Sequence, residues 1–192
     1  MYLKQGKKVE IPTKDLFKNP FCVDFPDVGI LEVYPNRDSV SYKEIYGIPE
    51  IRTMYRGTFR YPGWCVTLDA LKALHMISPD KFDMTGMSYL DLIKNQIQKH
   101  FPSLGHPLTA SADGVKYGMA DALGLPVNST AIQAIEWLGL FSEEKMNRGL
   151  DSTFEVTSDL MISKMSLGET ERDMVVMRSE EHTSELQSPN TI

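Results

Sequence analysis

Short apolar runs fill the first sixty residues, and apolar residues at helical spacing follow them. Residues 2–11 form two short runs around a Gln-Gly-Lys break at 5–7, a pattern that predicts a hairpin. Residues 28–34 (VGILEVY) are rich in β-branched and aromatic side chains and predict a buried strand. Residues 51–61 (IRTMYRGTFRY) begin with strict alternation and predict a second strand.

From residue 62 onward the pattern predicts helices. Apolar residues recur every three or four positions, and Ser88 and Ser129 or Thr130 stand where helix caps are expected. We expect Trp137 in an apolar stripe, and Phe154, Leu160, Met161 and Met165 facing inward. The predicted helices cover 66–77, 88–101, 115–123, the segment after Ser129 and 150–165, with a loop at 103–114 and the start of a strand at 173–177.

Composition excludes several classes of protein. The 192 residues carry 20 basic and 26 acidic side chains, a net charge of −6, so we expect no nucleic-acid partner. Two cysteines cannot build a disulfide framework, and a reducing, cytoplasmic location is expected. No apolar run approaches the roughly 18 to 20 residues of a membrane helix, so no membrane partner is expected.

Standard cofactor motifs are missing from the sequence. The four histidines and two cysteines lack the spacing of metal ligands, so no metal site is predicted. No GxGxxG or GxxxxGK[ST] is present to bind phosphates. Cys65 has no histidine near it in the sequence and is interpreted as a small buried hydrophobe.

The chemically dense region is 34–64, where arginines alternate with tyrosines. Arginines near strand ends can bind carboxylates through paired N–H donors. The missing side chain at Gly57 would let a ligand approach the backbone, and Thr58 could add a hydroxyl. A metabolite with several carboxylates is therefore the natural ligand for these arginines, Arg37, Arg52, Arg56 and Arg60.

A structural interpretation of the same residues stays open at this point. Arginine- and tyrosine-rich strands are often solvated faces, and Asn-Arg-Asp-Ser is a good turn sequence. Arg37 could simply pair with Asp38 or Glu44. The residues alone favour an anion site and a solvated face about equally.

Five motifs resemble the saccharopine dehydrogenase family of the L-glutamate-forming type, also called saccharopine reductase. They occur in the family's order and at compatible spacing, and the resemblance covers residues 1–177. The motifs are YPNRDS at 34–39, YGIPE at 46–50, RGTFRYPGW at 56–64, EWLGLFSEE at 136–144 and ERDMVVM at 171–177.

The resemblance implies an α+β fold without the family's Rossmann domain. Residues 1–62 would form part of a mixed β-sheet domain for substrate binding and dimerisation. Residues 63–150 would form an inserted all-helical domain, and 151–177 a helix and strand that return to the sheet. Residues 178–192 (RSEEHTSELQSPNTI) are polar, resemble a translated sequencing adapter, and are interpreted as a disordered, non-native tail on a fragment.

The implied activity is the oxidative cleavage of saccharopine to L-glutamate and aminoadipate semialdehyde, in lysine metabolism. By resemblance, Arg37 and Arg60 would hold substrate carboxylates, Thr58 would supply a hydrogen bond, and Phe59 a backbone or packing contact. Catalytic and cofactor-binding residues would lie outside this chain.

The same resemblance sets the expectations for cofactor, partners and location. The full-length enzyme would use NAD or NADP and form a homodimer, whereas the fragment would bind no cofactor and be inactive alone. A mitochondrial location is expected if the parent is a fused eukaryotic enzyme.

Two alternatives remain beside this interpretation. The first is a non-enzymatic module for ligand binding or dimerisation. The second is a fragment of a carboxynorspermidine-type dehydrogenase, against which the paired arginines argue, because that substrate is richer in amines.

Overall fold

The structure is a computed structural model, and it describes residues 1–104 and 108–179. Strands dominate the first sixty residues and helices dominate the rest. The strands are β1 (Tyr2–Lys4), β2 (Lys7–Val9), β3 (Phe21–Phe25), β4 (Gly29–Pro35), β5 (Gly57–Arg60), β6 (Lys81–Asp83) and β7 (Leu150–Ser152). The helices are α1 (Tyr42–Ile45), α2 (Trp64–Ala73), α3 (Tyr89–His100), α4 (Ala112–Leu123), α5 (Thr130–Leu138) and α6 (Thr153–Met165), with a 3₁₀ turn at Thr13–Asp15.

A three-stranded antiparallel sheet in the order β3-β4-β5 forms the centre of the first region. A turn at 26–28 joins β3 to β4, so these two strands pair as a hairpin. Leu31 and Val33 of β4 are buried, as the run of β-branched residues predicts. Every pairing between described strands is antiparallel, and the part of a mixed sheet that the resemblance implies stays a prediction.

The predicted strand at 51–61 is shorter than expected. Only 57–60 pair with β4. The residues before them bond to the predicted β1–β2 hairpin instead: Leu3 and Met54 exchange backbone hydrogen bonds, and the Gly6 N–H donates to the Arg52 carbonyl. The backbone groups of Arg52 and Met54 are thus bonded to the hairpin and not to β4.

The helices α2 to α6 share one hydrophobic core. It contains Leu71, Ile93, Met119 and Ile135, none of which is exposed to solvent. Ser88 caps α3 as predicted, in a capping box with Asp91. Helix α6, assigned above to the returning segment, adds Val156 and Leu160 to this same core. The division of the chain into domains stays a prediction.

The prediction that three apolar side chains face inward is wrong. Trp137 is 55% exposed, Phe154 47% and Met165 48%. In α5 the buried stripe is Ala131, Ile132, Ile135 and Leu138, and Trp137 lies off it. In α6 the buried positions are Thr153, Val156, Thr157 and Leu160, which leaves Phe154 and Met165 on the opposite face.

Several boundaries also differ from prediction. Strand β3 and the pair β6–β7 were not predicted, and α4 begins at Ala112, inside the predicted loop, where Ser111 caps it. Residues 173–177 form no strand and are largely exposed, with no described strand paired to them. Of the predicted tail, residues 180–192 lie outside the described residues.

Candidate functional site

Strand β5 divides the predicted site residues between two faces of the sheet. Arg60 lies opposite Glu32 of β4, and Thr58 lies opposite Tyr34. Because side chains alternate along a strand, Thr58 and Arg60 share one face while Phe59 points to the other. We call the surface formed by Glu32, Tyr34, Thr58 and Arg60 the polar face.

Phe59 and Gly57 belong to the apolar side of the sheet. The Phe59 ring contacts that of Phe25 edge-to-face, with centroids 4.8 Å apart. A Cβ at Gly57 would lie 2.5 Å from Val33 Cγ1 and 2.6 Å from Tyr55 Cε1. The prediction that Gly57 leaves room for a ligand is therefore wrong, since protein side chains fill that space. Phe59 can contact a ligand on the polar face only through its backbone or by packing.

At the end of β4 the chain turns toward Thr58. The Asn36 amide Nδ2 donates to Thr58 Oγ1 at 2.8 Å, and the Asn36 backbone N–H donates to the Arg56 carbonyl at 2.9 Å. Arg37 follows with φ 65°, a left-handed conformation that redirects the chain away from the strand. Asn36 was not chosen from the sequence, although its place in the YPNRDS motif was a signal.

Arg37 and Arg60 have no ion-pair partner among the residues that the structure describes. Within residues 1–104 and 108–179, no carboxylate oxygen lies within 4.0 Å of the Arg37 or Arg60 guanidinium. The Asp38 carboxylate instead accepts the backbone N–H of Val40 at 3.0 Å. The pairing of Arg37 with Asp38 or Glu44 that the sequence left open is therefore absent from the described structure.

The four arginines of the sequence do not act as one cluster. Arg56 donates to the Tyr42 hydroxyl at 3.0 Å, and Arg52 lies beside the β1–β2 hairpin through its backbone. Glu32 lies opposite Arg60 in the strand register, and Arg37 comes five residues after Glu32. The backbone positions of Arg37 and Arg60 are therefore separated by at most about 17 Å along the strand direction. Such a pair suits an elongated ligand with charges at both ends.

Glu32 is a buried carboxylate that the sequence analysis did not select. It is only 7% exposed, and it accepts backbone N–H groups at the start of α2: Gly63 donates to Oε2 at 3.3 Å and Cys65 to Oε1. A helix N-terminus favours a negative charge. The lone acidic residue within the apolar run 28–34 was the signal for this role.

Cys65 is a buried thiol, as predicted. It has no solvent exposure. Burial raises the pKa of the Cys65 thiol to about 12, and the nearby Glu32 carboxylate contributes to the rise. At neutral pH Cys65 is therefore uncharged and a poor nucleophile.

Comparison with known families matches residues 1–190 to the saccharopine dehydrogenase C-terminal domain. The chain belongs to this family. The resemblance drawn from the five motifs is thus confirmed, and the oxidoreductase family of lysine metabolism is the right one. The match extends into the segment 178–192, whose interpretation as a non-native tail stays a prediction.

Relatives of this family member are longer proteins. Mitochondrial alpha-aminoadipic semialdehyde synthase of Rattus norvegicus is 35% identical over 179 residues, which are 92% of this chain and 19% of the relative. Saccharopine dehydrogenase [NADP(+), L-glutamate-forming] of Saccharomyces cerevisiae is 30% identical over 184 residues, 92% of this chain and 39% of the relative. The chain thus spans well under half the length of these relatives.

A solved structure shares the fold. Apo histidine-tagged saccharopine dehydrogenase (L-Glu forming) from Saccharomyces cerevisiae superposes with a TM-score of 0.70 at 23% identity, covering 88% of this chain and 37% of that one. The α+β fold class is thereby supported at the level of architecture.

The described part of this family member does not fit a dinucleotide. The sequence has no glycine-rich phosphate motif, and the described strands pair only antiparallel, so they form no parallel βαβ unit with its phosphate-binding turn. Among the same residues, no three His, Cys, Asp or Glu side chains are grouped to hold a metal ion. No described helix has the length and apolarity needed to cross a membrane.

Proposed function

We propose that this chain is the substrate-binding part of an oxidoreductase that cleaves saccharopine oxidatively to L-glutamate and aminoadipate semialdehyde. The observation that carries the proposal is that, among the described residues of this family member, neither Arg37 beyond β4 nor Arg60 on the polar face has an ion-pair partner. Two exposed cations with no carboxylate partner in the described part of the chain are poised to bind carboxylates from solution. Saccharopine carries three of them.

Each proposed contact follows from the placement of the side chain. Arg60 uses one N–H on the Phe59 carbonyl at 3.0 Å, and its other donors have no partner among the described residues. Thr58 is already oriented by the Asn36 amide, which leaves its hydroxyl proton for a ligand oxygen. Arg37 lies beyond the end of β4 and would bind a carboxylate at the far end of the substrate.

Hydride chemistry is assigned to residues outside this chain. The name of the yeast relative includes NADP(+). We propose that a separate nucleotide-binding domain supplies NAD or NADP, that the chain alone binds neither, and that it is inactive alone. The contribution of this chain is then to hold and orient the substrate.

Assembly and location complete the proposal. We propose a homodimer of the longer enzyme, with the region 63–150 inserted as a helical unit and with no nucleic-acid or membrane partner. The mammalian relatives are named as mitochondrial proteins, so the proposal allows a cytoplasmic or a mitochondrial location.

The test is steady-state kinetics on a polypeptide that joins this chain to a nucleotide-binding domain. We expect NAD(P) reduction with saccharopine. Arg37→Ala or Arg60→Ala should each raise KM roughly 10- to 150-fold, the loss of one charged hydrogen bond of about 1.5 to 3 kcal/mol. Arg52→Ala is the matched control, because it removes the same charge from the hairpin side.

Other outcomes assign the chain differently. An unchanged KM in both variants would contradict the proposal. Tight calorimetric binding of saccharopine to the 192-residue chain without nucleotide would favour the non-enzymatic module. Preference for carboxynorspermidine over saccharopine would favour the polyamine-type enzyme.

A further inference from the structure

Arg60 faces an acidic residue across the sheet but forms no ion pair with it. Glu32 and Arg60 are directly opposite in the register of β4 and β5. Opposite charges at such positions normally attract each other, with Cβ atoms about 4.5 to 5.5 Å apart. Here, however, no carboxylate oxygen within the described part of the chain lies within 4.0 Å of the Arg60 guanidinium.

The reason is that both Glu32 oxygens are engaged elsewhere. Gly63, the residue before α2, has no side chain with which to cap the helix, and Glu32 accepts the N–H groups of Gly63 and Cys65 in its place. Because Glu32 is buried, those bonds also compensate its charge in a poorly solvated position.

The same helix start places an aromatic ring at Arg60. Trp64 is the first residue of α2, and the Arg60 Cζ lies 5.3 Å from the centroid of its ring. The face of an indole attracts a guanidinium at this range. Trp64 Nε1 is buried without a hydrogen-bond partner among the described residues, so the ring is held by packing and by its contact with the cation.

We infer that Glu32 and Trp64 are positioning residues for Arg60. Glu32 fixes the start of α2 and is thereby kept from neutralising the guanidinium. Trp64, set in place by that helix start, holds the guanidinium ready for a ligand carboxylate. An arginine held in this way binds without first breaking an ion pair and loses less side-chain freedom on binding. The inference rests on the proposed function.

The first test needs no ligand and uses the 192-residue chain. The sequence has two tryptophans, so Trp137→Phe leaves Trp64 as the only tryptophan, and its emission is read with excitation that tyrosine does not absorb. In that background Arg60→Ala and Glu32→Gln should both increase quenching of Trp64 by acrylamide, since one removes the cation over the ring and the other loosens the helix start. Asp91→Asn, which removes the capping-box carboxylate of α3, is the matched control and should leave quenching unchanged.

The second test measures KM in the polypeptide with its nucleotide-binding domain. Trp64→Leu should raise KM for saccharopine about 2- to 5-fold with kcat unchanged, the equivalent of a surface cation–π contact. Trp64→Phe, which keeps an aromatic face, should raise it less. Glu32→Gln should raise KM while Asp91→Asn does not.

The outcomes separate the two ideas. If Arg60→Ala raises KM but Glu32→Gln, Trp64→Leu and Trp64→Phe all behave as the parent, the positioning inference is overturned and the proposed function stands. If Arg60→Ala itself leaves KM unchanged, Arg60 holds no carboxylate and the positioning inference is overturned. The proposed function fails as well if Arg37→Ala also leaves KM unchanged. If the Glu32→Gln variant does not fold, the KM values of Trp64→Leu and Trp64→Phe decide the positioning inference.

Discussion

The sheet region and the helical region bury their side chains very differently. Before residue 63, the buried apolar side chains in the described structure are Leu3, Leu31 and Val33. Helices α2 to α6, by contrast, share a continuous core of leucine, isoleucine and methionine. Stability is therefore concentrated in the helices, whereas Arg37 and Arg60 belong to the thinly covered sheet region.

One buried carboxylate links the two regions. Glu32 belongs to the sheet but caps the first helix of the helical core. The well-packed region can in this way hold the position of a residue in the sparsely packed one. The site that we propose on this small sheet would in this way gain rigidity from the helical core.

The largest expected effect is on stability and compares two isoleucines. Ile93 has no exposure in the helical core, whereas Ile30 of β4 is 56% exposed. Ile93→Ala should lower the free energy of unfolding by about 2 to 5 kcal/mol through the cavity it leaves. Ile30→Ala should cost about 1 kcal/mol or less. Denaturant unfolding of the 192-residue chain measures both, and equal losses would contradict the comparison.

A smaller effect compares one cysteine from each region. Cys22 of β3 is exposed, whereas Cys65 at the start of α2 is buried. With a thiol pKa near 12, Cys65 stays protonated at pH 8 and lacks the reactive thiolate. A disulfide reagent at pH 8 should therefore label Cys22 quickly and Cys65 only after unfolding.

The cysteine experiment has a simple control. Cys22→Ser should abolish the fast labelling of the native chain and leave the slow labelling in denaturant. Fast reaction at Cys65 in the folded Cys22→Ser chain would show that the start of α2 is more open than the structure indicates.

Periodic patterns predicted the helices better than the sheet. The capping box at Ser88 and Asp91 is a local signal, and it placed the start of α3 correctly. The prediction of one strand at 51–61 failed because the alternation of side chains does not show which segment the backbone will bond to. Residues 52–54 bond to the hairpin, and 57–60 pair with β4. A local alternation of polar and apolar residues does not determine which distant segments pair.

The candidate site was predictable from motifs more than from geometry. Arg37 and Arg60 were chosen from the sequence, but the roles of Glu32 and Trp64 needed the β4–β5 register and the helix start. Likewise, the sequence could not show that Tyr55 fills the space above Gly57. Which arginines lack an ion-pair partner is also a property of three-dimensional packing, beyond the reach of composition.

The most direct test of the central claim is a double-mutant cycle on KM for saccharopine, in the polypeptide that joins this chain to a nucleotide-binding domain. If Arg37 and Arg60 hold different carboxylates of one substrate, the Arg37→Ala/Arg60→Ala variant should raise KM by the product of the two single effects, roughly a hundredfold or more. The account would be contradicted by a double variant whose KM is no higher than that of either single variant. It would also be contradicted by an Arg52→Ala control whose KM rises as much as that of the two single variants.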